Sequence, residues 1–256
     1  MKKIKLTFLG TGTSQGVPTI TCSCATCQSL DFRDKRLRTS VHIQVAGLDL
    51  VVDTGPDFRQ QMIQNRVPKL DAVIFTHEHK DHTAGMDDIR GFYFKQKRDI
   101  PLYARPQVIT QLRQEFSYIF AEHRYPGVPG VEVHPVSGEP FSIRDTTITP
   151  IEAMHYRLPV YGYRIGDFTY LTDANKISTE ELAKMKGTRL LVLNALQFQP
   201  HISHFSVQEA LEIVRYVKPE RTYFTHLSHT LGKHAEVEPK LPEGVKLAYD
   251  GLTVEL

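Results

Sequence analysis

Seven consecutive residues, Thr76-His77-Glu78-His79-Lys80-Asp81-His82, concentrate three imidazoles and the Asp81 carboxylate directly behind the apolar run Ala72-Val73-Ile74-Phe75. An apolar run of that length reads as a buried strand, so the nitrogen and oxygen donors sit on the loop that leaves it. This is metal-site chemistry. Histidine is the commonest metal ligand among side chains, and His with Asp suits zinc, manganese or iron better than calcium or magnesium.

The elements around that loop follow from pattern. Ile4, Leu6 and Phe8 alternate with polar residues as a strand that ends at the turn-prone Gly10-Thr11-Gly12-Thr13. No GK[ST] run and helix follow, so the glycines read as a tight turn rather than a phosphate cradle. Val41 to Ala46 and Leu48 to Asp53 read as strands, then Pro56 to Asn65 as a short helix. After the metal loop a helix is expected near Ala84 to Gly91. A strand follows at Pro101 to Ala104, and an amphipathic helix at Pro106 to Glu122 carries Val108, Ile109, Leu112, Phe116, Ile119 and Phe120. Residues 123 to 138 are the most loop-like stretch, although a strand is expected near Val131 to Val136.

Further strands are expected at Phe141 to Arg144, Thr147 to Ile151, Val160 to Ile165, Phe168 to Thr172, Arg189 to Asn194 and Arg221 to Thr225. Capping boxes, Ser178 with Glu181 and Ser206 with Glu209, open helices Thr179 to Lys186 and Val207 to Val217. Asp250-Gly251 reads as a hairpin turn between Val245–Tyr249 and Leu252–Leu256. Single candidate ligands then stand at the ends of strands: Asp53, His155, Asp173 and His226. Loops at strand ends are where α/β folds collect their active sites.

The 256 residues, 41% of them hydrophobic, suffice for a full core, and one domain over 1–256 is expected. With 31 basic and 29 acidic residues the net charge is +2, which argues against a large nucleic-acid contact. The start, Met1 to Leu6, lacks the apolar and small-residue pattern of a signal peptide, and no run approaches membrane-spanning length; a cytoplasmic protein without membrane contact is expected. Cys22, Cys24 and Cys27 are an odd number in six positions, which favours a metal over disulfides. The charges that follow, Arg33, Asp34, Lys35, Arg36 and Arg38, read as the solvated face of an ordered loop over about 22–38.

In this order and spacing, Asp53, the H-x-H-x-D-H element, His155, Asp173 and His226 resemble the five motifs of the metallo-β-lactamase superfamily. The resemblance spans nearly the whole chain and implies an α/β fold, a four-layer αββα sandwich with a binuclear metal site. Carried onto this sequence, one ion takes His77, His79, His155 and a bridging Asp173; the other takes Asp81, His82, His226 and Asp173. Asp53 orients these loops from behind. Two divalent ions about 3.5–4 Å apart, zinc or manganese, can hold a bridging hydroxide as nucleophile.

Local features narrow the chemistry. His79 argues against the flavodiiron oxygen reductases, which place glutamate there. Cys22-x-Cys24-x-x-Cys27 with His229 resembles the structural zinc site of the phosphoribosyl cyclic phosphate phosphodiesterases of phosphonate breakdown, and Gly85-Met86-Asp87-Asp88-Ile89-Arg90 resembles a run of the same group. Three thiolates and an imidazole complete a closed tetrahedral zinc set. The implied activity is hydrolysis of a small cyclic phosphodiester. His204, in His201-Ile202-Ser203-His204-Phe205-Ser206, is implied as the acid, with His201 second and Asp81 in the catalytic set as well. Arg90, Tyr156 and Arg157 are candidate substrate contacts, and the resemblance suggests a homodimer. A transfer-RNA 3′-processing endonuclease is the rival enzyme, disfavoured by charge and by the lack of a long basic, glycine-rich insertion. A β-lactamase is disfavoured by the missing signal peptide. A non-catalytic, metal-stabilised binding protein is the reading of another class.

Overall fold

Alternation at Ile4, Leu6 and Phe8 places one strand, Ile4–Gly10, in a seven-stranded sheet with its apolar side chains fully covered. In the computed structural model, residues 3–123 and 125–256 are described. Met1 and Lys2, at the start read for a leader, and Arg124, in the loop-like stretch, lie outside the described residues. The sheet runs Thr253–Glu255, Ile4–Gly10, Ser40–Val45, Leu48–Val52, Ala72–Ile74, Ile100–Ala104, Val131–Pro135. Its first three pairings are antiparallel and its last three parallel.

A second sheet repeats that plan. It runs Lys176–Ile177, Thr146–His155, Leu158–Ile165, Phe168–Leu171, Leu190–Asn194, Arg221–Thr225, Val245–Leu247, again antiparallel and then parallel. Phe141–Ile143 adds to Thr146–His155 at one side. Parallel strands are covered on both faces, and Leu48–Val52 and Leu190–Asn194 accordingly bury every residue.

Three apolar clusters define the layers. Leu6, Phe8, Ile43, Leu50 and Ile74 of the first sheet meet Tyr163, Phe168, Tyr170 and Val192 of the second. On the outer face of the first sheet, Phe58 and Met62 of helix Phe58–Gln64 and Val108 and Leu112 of helix Pro106–Glu115 cover Val51, Val73 and Leu102. On the outer face of the second, Val207, Ala210, Ile213 and Val217 of helix Val207–Val217 cover Leu191, Leu193 and Phe224. The result is the expected αββα sandwich. Among the described residues no helix is long and apolar enough to cross a membrane.

Several expectations are corrected. The helix from Pro106 stops at Glu115 because Phe116 leaves helical geometry; Phe116 and Ile119 stay buried through a following turn, so the apolar spacing reports packing rather than continued helix. The expected 84–91 helix is three short pieces, Lys80–Thr83, a 3₁₀ turn Met86–Ile89 and Arg90–Gln96. Ser178 caps through the Glu181 amide, but the Glu181 carboxylate accepts from the Glu152 amide instead of completing a box. The Ser206–Glu209 box is complete.

No hairpin forms at Asp250-Gly251. Val245–Leu247 pairs in the second sheet and Thr253–Glu255 in the first, so the turn is a crossover between sheets. Asp250 anchors it by accepting from the Thr11 hydroxyl (2.7 Å) and the Leu37 amide (2.6 Å). Nor is the 33–38 charge run a solvated face throughout. Arg36 is 5% exposed, donating to the Ala248 carbonyl (2.6 Å) and Thr11 Oγ1 (2.8 Å), and buried Asp34 accepts from the His234 amide (2.8 Å). Arg33 and Arg38 do lie nearer solvent, paired with Asp31 and Asp57.

Candidate metal centre and active site

The two sheets bring their strand ends together at one edge. Asp53 and the 77–82 loop come from the first; His155, Asp173 and His226 come from the second. Asp53, Asp173 and His226 all adopt left-handed backbone, with φ of 66°, 54° and 55°. Such angles are uncommon for residues with a Cβ, and they cluster where a site requires an exact reversal of the chain.

Two glycines let the loops approach. A Cβ on Gly55 would lie 2.2 Å from the Asp81 carbonyl oxygen, and one on Gly85 would lie 2.1 Å from the Gly55 carbonyl oxygen. Main-chain bonds then lock the Asp53 loop to the metal loop: Thr54 donates to the His82 carbonyl and Gly85 to the Thr54 carbonyl, both at 2.8 Å. Gly85 in the Gly85–Arg90 run is therefore a packing requirement.

Neighbouring acceptors fix which nitrogen each histidine offers. Thr76 Oγ1 donates to Asp53 Oδ2 (2.8 Å) and so accepts from His77 Nδ1 (3.0 Å), leaving His77 Nε2 unprotonated. His82 Nδ1 lies 2.7 Å from Asp53 Oδ2, and His155 Nδ1 lies 2.8 Å from the Ser203 carbonyl oxygen, so both turn Nε2 inward. Orientation of this kind is characteristic of metal-ligating imidazoles. His77 Nε2 stands 3.1 Å from His79 Nδ1, two nitrogens aimed at one point.

Donor atoms within 4.8 Å of one another form four overlapping groups: His77, His79 and His155; His77, His82 and Asp173; Asp81, Asp173 and His226; and His155, Asp173 and His204. Asp173 belongs to three. Its Oδ1 is 3.1 Å from His226 Nε2 and its Oδ2 is 3.3 Å from His82 Nε2, which also faces Asp81 Oδ2 at 3.3 Å. The His82 Nε2 is fully buried yet has no hydrogen-bond partner among the described residues. Burial disfavours charge on His82, but Asp173, Asp81 and Asp53 outweigh it and hold the imidazole well above its usual range. Burial keeps His77 well below that range. A carboxylate cage that favours positive charge, beside neutral imidazoles with free inward nitrogens, fits divalent cations.

His204 lies at the same edge, its Nδ1 3.8 Å from Asp173 Oδ1 and without a hydrogen-bond partner among the described residues. Burial first, then His226, push it down to about 3 against the opposing pull of Asp173, so the imidazole is neutral near pH 7. His201 is exposed, accepting at Nδ1 from the Ser203 amide (3.3 Å), its ring 5.3 Å from that of His204. Tyr156 and Arg157 line a cavity of about 560 Å³ together with His79, His155, Leu158, Ile202 and Ser203. Arg90 is instead held by Asp87, which also accepts from Tyr118 Oη (2.6 Å).

The cysteines converge as well. Cys22 Sγ and Cys24 Sγ each lie 3.4 Å from His229 Nδ1, and these three with Cys27 bring all four donor atoms within 4.8 Å of one another. Contact with His229, then the Cys27 amide, brings Cys24 down to about 6, while burial pushes Cys27 up to about 11. A closed S₃N set is suited to structural zinc.

Sequence reasoning missed Thr76, which relays Asp53 to His77, and Asn175. Asn175 Oδ1 accepts from the Tyr156 amide and its Nδ2 donates to the Ile202 carbonyl, both at 2.8 Å. Its place two residues beyond Asp173 was the available signal.

A family model described as a beta-lactamase superfamily domain matches residues 49–227, which hold every one of the five motifs. The chain belongs to that superfamily. Within it, a crystal structure of a diphosphatase from the PhnP family superposes with a TM-score of 0.92 at 39% identity, covering 99% of this chain and 98% of that one. An octanoyltransferase of Porphyromonas gingivalis is 39% identical over 248 residues, 96% of this chain; the chain spans 50% of that protein's length. Human tRNase Z, short form, shares the fold at a TM-score of 0.73 and 17% identity, with 98% of each chain covered.

Proposed function

We propose that this metal-dependent hydrolase of the superfamily cleaves a P–O bond in a small cyclic phosphodiester, such as a phosphoribosyl 1,2-cyclic phosphate. The observation that carries this is Asp173: one carboxylate shared by His82 and His226, standing between the 77–82 loop and His204. In this reading His77, His79, His155 and Asp173 hold one divalent ion and Asp81, His82, His226 and Asp173 the other, zinc or manganese. Such ions would polarise a phosphoryl oxygen and supply a nucleophile from water at neutral pH.

The side chains do the rest. His204 takes up a proton as the substrate's negative charge comes beside it, then gives that proton to the leaving oxygen. Asp53 and Thr76 hold the imidazoles in the required tautomers. The 22–38 loop, with Cys22, Cys24, Cys27 and His229 on a structural zinc, belongs to the same unit over 1–256.

A diphosphate bond is the second reading, favoured by the 39% identical PhnP-family diphosphatase. The octanoyl transfer named for the P. gingivalis protein we assign to the part of it that this chain does not match. Incubating the zinc- or manganese-loaded protein with phosphoribosyl 1,2-cyclic phosphate, ADP and precursor tRNA separates the readings. Turnover of the cyclic ester, lost in His204→Ala, is the expected result; cleavage of the tRNA with neither small ester touched would reject it.

A further inference from the structure

The cavity of about 560 Å³ beside the metal-ligand candidates is larger than a phosphate needs and is not polar throughout. Two large apolar side chains on its lining are conspicuously uncovered: Ile202 is 67% exposed and Tyr156 50%. Tyr156 holds a left-handed φ of 57°, a conformation that aromatic residues rarely adopt. The structure fixes it there, because Asn175 bonds the Tyr156 amide with one end of its side chain and the Ile202 carbonyl with the other. The single side-chain amide of Asn175 thus ties both lips of the cavity together. The Arg157 guanidinium lies over one face of the Tyr156 ring, 5.1 Å from its centroid, adding a positive charge at the same mouth.

We infer that this cavity is a nucleobase subsite, with Tyr156 as the stacking platform, Ile202 as the opposing apolar wall and Arg157 as a partner for phosphate. The inference rests on the phosphoester-hydrolase reading and extends it from base-free ribosyl phosphates to nucleotides that carry a base. A strained, half-exposed ring anchored by a side-chain amide suits a flat aromatic ligand; a sugar phosphate alone would leave both apolar lips without a partner. Base stacking on an aromatic side chain tolerates any base, so affinity for the ring system, rather than choice among bases, is expected.

Equilibrium binding to the metal-loaded protein tests this, using AMP and ribose 5-phosphate, which differ by the base. AMP is expected to bind more tightly by about 5- to 150-fold. Tyr156→Ala should remove that advantage while leaving ribose 5-phosphate affinity unchanged, and Tyr156→Phe should retain it. Ile202→Ser, on the other lip, should lower the advantage without touching the strained position. Equal affinity for the two ligands, or parallel losses for both in Tyr156→Ala and Ile202→Ser, overturns the subsite. Hydrolysis assays on the same samples keep the two readings apart: base-dependent binding without turnover of any phosphoester would leave the subsite standing and remove the hydrolase reading, whereas turnover without base-dependent binding does the reverse.

Discussion

His82 Nδ1 lies 2.7 Å from Oδ2 of Asp53, and both side chains are completely buried. Asp53 also accepts from the Thr76 amide and hydroxyl, each at 2.8 Å, so one carboxylate sets the tautomers of both His77 and His82 without itself facing the other candidate ligands. Replacing it by alanine should lower metal affinity or activity by about 10- to 100-fold. Asp53→Asn, which keeps the shape and an acceptor oxygen, should lose less. Metal content by mass spectrometry after dialysis, read beside the melting temperature, separates a disordered site from a destabilised fold.

His204→Ala should retain the metal content of the His/Asp site, since Asp173 keeps its other partners, yet lose activity by about 10²- to 10⁴-fold. An unchanged rate with full metal content would remove His204 from the acid role and direct attention to His201.

Cys24→Ser should abolish one equivalent of zinc and open the 22–38 loop to proteolysis, while the His/Asp site still binds. Cobalt substitution gives a direct check: thiolate-to-cobalt absorption should appear in the parent and fade in the variant. The low Cys24 value, about 6, also predicts that this thiol is the first to react with alkylating agents once chelated metal has been removed.

Asp250 supplies a pH prediction. Burial raises it to about 6 against the bonds from Leu37 and Thr11 and the charge of Arg36. Its folded value therefore exceeds the unfolded 3.8, so the contribution is fully present below about pH 4 and disappears as pH rises through 6. The size is about 3 kcal/mol by the shift. Asp250→Asn should flatten that segment of the stability–pH curve in urea titrations; a curve of unchanged slope would contradict it.

Much of this was legible because period and spacing are local properties. The H-x-H-x-D-H run, the strand-end positions of Asp53, His155, Asp173 and His226, and the Ser206–Glu209 box can all be read from neighbouring residues. What could not be read is set by distant partners. Asp250-Gly251 has a hairpin's composition, yet Val245–Leu247 finds a parallel partner in Arg221–Thr225 and the chain crosses to the other sheet. Arg36 sits in a charged run but is drawn inside by acceptors at Thr11 and Ala248, one far upstream and the other near the end of the chain. Phe116 and Ile119 continue a helical pattern after the helix has stopped.

Because the donor atoms come from both sheets, the centre exists only while the sheets stay in register against each other. Asp53 and the 77–82 loop ride on one, His155, Asp173 and His226 on the other, and the Leu50 and Phe168 layer between them sets their separation. Cation affinity is therefore a gauge of how well that interior is assembled. Trimming Phe168 to alanine, far in sequence from every candidate ligand except Asp173, should cost about 3–5 kcal/mol of stability. It should also loosen metal binding in molecules that remain folded, which makes a chelator competition assay a sensitive report on the packing of a core that no ligand touches.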